Sequence, residues 1–222
     1  MQVEWYGQSA FRLTAGGTTV AIDPFGDLTP MRDRGVQFEY PAIEGLSASL
    51  LLVTHEHADH NGVEVVGGEP PVLRSTAGTH ASPLGEVTAV ASEHDEQAGT
   101  ARGPNTIFAF SLDGVRVCHM GDFGQAALRV EQATAIGEVD LLFVPVGGGP
   151  TIGARAAGEI VSRLAPRWIV PMHYRTPRIG FLETAEEFLA MYPDVRRLDG
   201  SSFDTAELPA EAGTTIVVPA AP

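Results

Sequence analysis

The stretch Ser49-Leu50-Leu51-Leu52-Val53-Thr54-His55-Glu56-His57-Ala58-Asp59-His60 decides how this chain is read. Its first half, SLLLVT, is an apolar run without polar alternation, as expected of a strand buried on both faces. Its second half sets four metal-capable side chains, His55, His57, Asp59 and His60, directly after that strand. Neutral imidazole nitrogen and carboxylate oxygen both bind zinc, at about 2.0–2.2 Å. His55 and His57 are two residues apart, which in extended backbone puts them on one side. Asp59 and His60 lie beyond, where a turn into a short helix aims them at a second point. The spacing suits two adjacent metals better than one, with Glu56 and Ala58 as spacers pointing away. A charged surface turn is the plain alternative; three His and an Asp behind a buried strand weigh against it.

A dinuclear site needs ligands from elsewhere, and the sequence offers them at other strand ends. His94 follows the strand Val87–Ser92. Asp122 follows Val115–His119, and His173 follows Trp168–Met172. Side chains at the ends of neighbouring strands converge on one rim, so the recurrence means more than any one residue. His94 sits in Ser92-Glu93-His94-Asp95-Glu96, which also reads as a solvated acidic turn. His119 competes for its role, or packs behind the ligands. His80 reads as a loop histidine, and Cys118 as a small buried apolar residue.

The rest of the chain supplies a frame. Val3–Tyr6, Ala10–Ala15 and Thr18–Asp23 read as strands, with a hairpin at Gly16-Gly17. Pro24 to Leu46 is irregular, as functional loops often are. Strands follow at Val72–Ser75, Val87–Ser92, Thr106–Leu112, Val115–His119, Asp140–Val146, Trp168–Met172 and Thr215–Val218. Helical spacing covers Gln125–Ile136, Ala154–Leu164 and Thr184–Tyr192. Strand-rich stretches followed by strand–helix units imply an α/β fold of two sheets with helices outside. No linker or short repeat is visible, so residues 1–222 read as one domain.

Composition narrows the function. Hydrophobic residues make up 44% of the 222 and charged residues 19%, which predicts a packed core. No apolar stretch reaches the roughly 18 residues that span a bilayer. Met1-Gln2-Val3-Glu4-Trp5 has neither a basic region nor an apolar signal core, so a cytoplasmic protein is expected, with no membrane contact. The single cysteine excludes a cysteine-rich zinc site, leaving His and carboxylate to hold any metal. A formal net charge of −14 argues against nucleic acid as partner. It leaves a small-molecule substrate open, an anionic one included, because bound divalent cations reverse the local sign. A homo-oligomer is also open.

His55-x-His57-x-Asp59-His60, the later His94, Gly121-Asp122 and the final His173 resemble the metallo-β-lactamase-fold hydrolases. Gly7-Gln8-Ser9-Ala10-Phe11, Asp23-Pro24 and His119-Met120-Gly121-Asp122-Phe123-Gly124 are similar to the small lactonase-like branch, which includes the ascorbate-6-phosphate lactonase. The chain departs from that branch at Gln8, where His is common. The resemblance implies a four-layer αβ/βα sandwich with metals at one edge of the sheets. By position it implies His55, His57 and His94 on one metal, Asp59, His60 and His173 on the other, and Asp122 bridging. Asp23 would orient a ligand His by hydrogen bond.

These residues predict metal-assisted hydrolysis of an ester, lactone or phosphoester. Two divalent ions, Zn2+ foremost with Mn2+ or Fe2+ as alternatives, would activate a water. Asp59 would bind metal, orient the nucleophile and carry the proton to the leaving group. No Gly-x-Ser-x-Gly elbow is present. Substrate contacts are expected from Arg102, Asn105, Tyr174, Arg175 and Arg178 on rim loops; for each arginine, ordinary solvation is equally open. Gly147-Gly148-Gly149-Pro150 reads as a tight strand-to-helix loop near the site. A phosphodiesterase or nuclease, a di-iron redox protein and a non-enzymatic metal-dependent binder are the competing functions.

Overall fold

The computed structural model describes residues 1–209 and 213–222. The chain opens with β1 (Gln2–Gly7), β2 (Ala10–Ala15) and β3 (Thr18–Ile22), an antiparallel meander whose second turn uses Gly16 and Gly17 at positive φ. β4 (Leu50–Val53) then lies parallel to β3, and β5 (Val72–Arg74) parallel to β4. The second sheet takes β6 (Gly78–Ser82), β7 (Gly85–Glu93), β8 (Pro104–Leu112), β9 (Val115–His119), β10 (Leu141–Pro145), β11 (Trp168–Met172) and β12 (Val195–Arg197). β13 (Ser202–Asp204) returns to pair with β1, and β14 (Thr215–Val218) closes between β11 and β12. The sheet orders are β13-β1-β2-β3-β4-β5 and β12-β14-β11-β10-β9-β8-β7-β6.

β4 explains its own composition. Leu50 and Leu52 join the core between the sheets, while Leu51 and Val53 join a second cluster outside. All four are buried, so apolar side chains are needed on both faces. The two outer layers are built differently. Over the second sheet lie α2 (Val130–Ile136), α3 (Ala154–Leu164) and α4 (Glu186–Leu189). The α3 helix buries Ala154, Ala157, Ile160, Val161 and Leu164, one helical stripe. Over the first sheet the cover is mostly loop: Phe25, Leu28, Phe38, Tyr40, Ile43 and Leu46 pack on Ala21, Leu51 and Val53. The helix within that stretch, α1 (Thr29–Arg32), is one turn long and buries no residue.

Several expected elements differ. The helix expected from Gln125 starts at Val130, because the Gln132 side chain accepts from the Arg129 backbone N–H at 2.9 Å and caps it there. The helix expected over Thr184–Tyr192 shrinks to Glu186–Leu189, a turn anchored by buried Phe188 and Leu189. His80 lies in β6, an exposed edge strand held by backbone pairing to β7, and not in a loop. β6, β12 and β13 are short and lack the apolar alternation that would announce them.

Topology delivers the functional residues. β8 is antiparallel to both β7 and β9, so β7 and β9 run the same way. β9, β10 and β11 are parallel. The C-terminal ends of β7, β9 and β11 therefore share one edge of the second sheet, as those of β3 and β4 do in the first. The backbone bond from Thr106 N–H to Thr54 O, 2.9 Å, ties the two edges together. No helix among the described residues is long and apolar enough to cross a membrane.

Candidate metal centre

The rear of the cluster is organised by Asp23, which follows β3 and is fully buried. Its Oδ1 accepts from the Thr54 backbone N–H at 2.7 Å. Its Oδ2 accepts from the Thr54 hydroxyl at 2.7 Å and from His60 Nδ1 at 2.9 Å. Because the Thr54 hydroxyl donates to Asp23, its oxygen accepts from His55 Nδ1, 3.1 Å away. One carboxylate thus places the ring protons of His55 and His60 on Nδ1 and turns both Nε2 atoms inward as lone pairs. Asp23 itself sits at φ 47, an uncommon backbone state for a non-glycine residue.

Asp122 stands at the centre. Its Oδ2 lies 3.1 Å from His173 Nε2, 3.2 Å from His94 Nε2 and 3.9 Å from His55 Nε2. Its Oδ1 lies 3.3 Å from His60 Nε2. Three overlapping groups have ligand atoms within 4.8 Å of one another: His55, His57 and His94; His55, His60 and Asp122; Asp59, His60 and His173. The residues fit divalent cations on two observations. His60 Nε2 is buried without a hydrogen-bond partner, an atom that a cation would satisfy. His55 Nε2 and His57 Nδ1 face each other at 3.1 Å, which holds either a shared proton or a cation.

Asp122 is held from behind. Asn105 Oδ1 accepts from the Asp122 backbone N–H at 3.0 Å, while Asn105 Nδ2 donates to Met120 O at 2.9 Å and Ser92 Oγ at 2.8 Å. Gly121, at φ 57, passes so close to Asn105 and Thr54 that a Cβ there would collide with both. His119 Nε2 donates to Ser9 O at 3.0 Å and its Nδ1 accepts from the Gly121 N–H at 3.2 Å. His119 therefore braces the Asp122 loop and presents no nitrogen to the cluster, whereas His94 does. His173 is at φ 50, and Gly147 lies against its carbonyl with no room for a side chain.

Charge is compensated within the cluster. Burial alone would raise Asp122, but His173 and His60 hold its carboxyl well below the usual carboxylate range. Burial alone would lower His60, but Asp122, Asp59 and Asp23 together hold it well above the ordinary histidine value. Burial, reinforced by the neighbouring His60, holds His55 far below that value. Burial also lowers His119.

The expected substrate contacts are placed differently. Asn105 is buried and all its carboxamide bonds are internal, so it serves Asp122 and not the rim. Tyr174 is buried and stacked on Trp5, 5.8 Å between ring centres. Arg175 Nε donates to Leu182 O, and Arg178 Nε to Pro222 O at 3.0 Å. Arg102 is exposed, its backbone N–H given to Asp95 at 2.7 Å. Sequence reasoning also missed residues that matter here. Thr54 and Ser9 look ordinary, yet Thr54 links His55 to Asp23, and Ser9 Oγ lies 3.4 Å from Asp122 Oδ1. Glu56 is no idle spacer: it accepts from Asn61 at 2.7 Å, from Arg74 and from Ser75 at 3.1 Å. A carboxylate between two ligand histidines was the available signal for it.

Comparison with known proteins places the chain in a family. Residues 2–173 match the model of the β-lactamase superfamily domain. A UPF0173 metal-dependent hydrolase of Methylobacterium nodulans is 32% identical over 99% of this chain and 100% of its own length. A UPF0173 protein of Pyrococcus abyssi is 32% identical over 79% of this chain and 84% of its own. The crystal structure of a proposed Zn-dependent hydrolase of the metallo-β-lactamase superfamily from Thermotoga maritima superposes with a TM-score of 0.78, at 29% identity over 98% of each chain. With its strand-end histidines gathered around Asp122, the chain belongs to the metallo-β-lactamase superfamily, within the UPF0173 family of metal-dependent hydrolases.

Proposed function

We propose that the centre holds two divalent cations and hydrolyses a small ester, lactone or phosphoester. The single observation that carries this reading is Asp122: one carboxylate within 3.1–3.9 Å of four imidazole Nε2 atoms, as a bridge between two ligand groups requires. His55, His57 and His94 would hold one cation, and Asp59, His60 and His173 the other, with Zn2+ first and Mn2+ or Fe2+ as alternatives. Bound divalent cations supply Lewis acidity and bring the pKa of a water toward 7.

The chain's own residues do the rest. Asp59 is half-buried, with Oδ2 3.7 Å from His60 Nε2, at the mouth of the cluster. From there its carboxylate orients the attacking water and takes its proton for delivery to the leaving group. Asp23 and Thr54 keep His55 and His60 in the ligand tautomer throughout. Cys118 is buried, and burial pushes its thiol up, which removes it as a nucleophile. The test is a hydrolysis panel of lactones, phosphorylated sugars and phosphodiesters on protein of measured metal content. Two metals per chain and turnover lost in Asp59→Asn are expected. A protein saturating at one metal, or full turnover in metal-loaded Asp59→Asn, would overturn the reading.

A further inference from the structure

Among the described residues, the buried side-chain nitrogen and oxygen atoms without a hydrogen-bond partner are His60 Nε2, His94 Nδ1 and both polar atoms of Gln8. The histidines belong to the candidate ligand groups; Gln8 does not. It lies in the bend between β1 and β2, fully buried, at φ 49. Its carbonyl accepts from Trp5 Nε1 at 2.9 Å. The next residue, Ser9, places its hydroxyl 3.4 Å from Asp122 Oδ1 and its carbonyl 3.0 Å from His119 Nε2. Trp5 stacks on Tyr174, the residue after His173. The backbone of the bend is therefore pinned on both sides, with Gln8 one residue away from the contact to Asp122.

Buried polar groups are almost always paired, and an exception marks a missing partner. A left-handed non-glycine residue is likewise retained where structure over-determines it, often at functional sites. The chemistry of that partner follows from the carboxamide, which offers two N–H donors and one carbonyl acceptor. A carboxylate or phosphate oxygen would satisfy the NH2 and leave Oε1 facing negative charge. A hydroxyl or an amide satisfies both ends. The arginines expected to grip an anion give no support to an anionic group: Arg175 and Arg178 donate to the carbonyls of Leu182 and Pro222.

We propose that Gln8 is a specificity-determining residue, whose carboxamide takes a neutral substrate group carrying a donor beside an acceptor, a hydroxyl or an amide. This rests on the metal-centre reading above and adds a substrate class to it.

The test uses binding, so that it stands apart from turnover. Full-length protein is loaded with Co2+ and titrated, by its visible spectrum, with hydroxamates sharing one metal-binding head. Their two- or three-carbon chains end in carboxamide, carboxylate or methyl. The carboxamide end should bind about tenfold tighter than the carboxylate end in the parent, the worth of a hydrogen-bonded pair in a buried site. Gln8→Leu should remove that gain and leave the methyl end best. Gln8→Glu, which keeps the shape and an acceptor but loses the N–H donors and adds negative charge, should keep part of the carboxamide's gain over methyl and push the carboxylate end below methyl, and it carries the test if Gln8→Leu does not fold. A carboxylate end that binds best in the parent overturns the proposal. So does a rank order that Gln8→Leu leaves unchanged, or a carboxylate end that Gln8→Glu does not weaken, which would mean that a resident water is all Gln8 holds. Failure to take up Co2+ would instead count against the metal centre itself, and the two failures are distinguishable.

Discussion

The rear and the mouth of the cluster are built on different terms. At the rear, His55, His60 and Asp122 are buried, and each is fixed by a partner that is itself buried: Thr54, Asp23 and Asn105. At the mouth, His57 is exposed and Asp59 half-buried, and His57 Nδ1 faces His55 Nε2 at 3.1 Å. The difference separates two tasks. Buried hydrogen bonds set positions to within the tolerance a metal site needs. Exposed side chains leave room for substrate and can move with it. Loss of a mouth residue should therefore cost rate and a metal ligand but little stability, and loss of a rear residue should cost metal affinity and stability together.

The largest effect is expected at the mouth. Asp59→Asn removes the acceptor for the water's proton and should lower kcat by about 10²–10⁴-fold, the usual worth of a positioned acid or base. The melting temperature of the metal-free protein should barely move, because Asp59 is half-buried and outside the core. A large fall in melting temperature together with the rate would show that mouth and rear are not separable.

Asp23→Asn attacks the rear. An amide cannot accept from Thr54 N–H, Thr54 Oγ1 and His60 Nδ1 at once, so the tautomers of His55 and His60 are released. Metal affinity should fall about 10–100-fold, measured by competition with a chelator. A pH effect accompanies it. In the metal-free chain burial opposes a second proton on His60, but Asp122, Asp59 and Asp23 outweigh it and hold the ring well above the ordinary histidine value. Metal needs the neutral ring, so uptake should release a proton and affinity should rise with pH until His60 has titrated. Calorimetry in buffers of different ionisation heat reads that proton, and Asp23→Asn should release less. Proton release unchanged by the substitution would break the link between Asp23 and His60.

Asn105→Leu tests the rear one step further back. It strands the Asp122 N–H and takes the Nδ2 donor from Met120 O and Ser92 Oγ in a buried place, at a cost of about 1–3 kcal/mol for an unsatisfied group. Denaturant unfolding should read that loss, with weaker metal binding following it. Wild-type stability would return Asn105 to the rim role its sequence position suggested.

These residues also mark what could be read in advance. The candidate ligands were legible because each follows a strand end, and parallel or like-directed strands bring such ends to one edge. The fold was legible for the same reason, through SLLLVT and the apolar strands of the second sheet. The braces were not. Thr54, Ser9 and Asn105 are common polar residues, and only tertiary contact distinguishes a tautomer-setting hydroxyl from a solvated one. Arg175 and Arg178 show a related limit: a long side chain after His173 can reach substrate or a nearby carbonyl, and their Nε atoms here donate to Leu182 and Pro222. The short strands β6, β12 and β13 were invisible because pairing with a neighbour, and not their own periodicity, holds them extended.

The smallest effect is expected where the mouth meets the surface. Glu56 lies between His55 and His57, and Arg74 with Asn61 and Ser75 draws its carboxylate toward the end of β5. The Arg74 guanidinium and its partners hold Glu56 below the usual carboxylate range. The pair is largely exposed, so Glu56→Gln should cost only ~0.2–1 kcal/mol of stability, and less in high salt. Its sharper consequence is local. Arg74→Ala would leave a carboxylate without its guanidinium between two ligand histidines, held only by Asn61 and Ser75, where it can turn back and compete for cation. Metal affinity should then change more in Arg74→Ala than in the double variant Glu56→Gln/Arg74→Ala, a difference that a chelator competition resolves. Equal changes in both would mean that Glu56 does no more than decorate the surface, and that the order of the mouth is set by His55 and His57 alone.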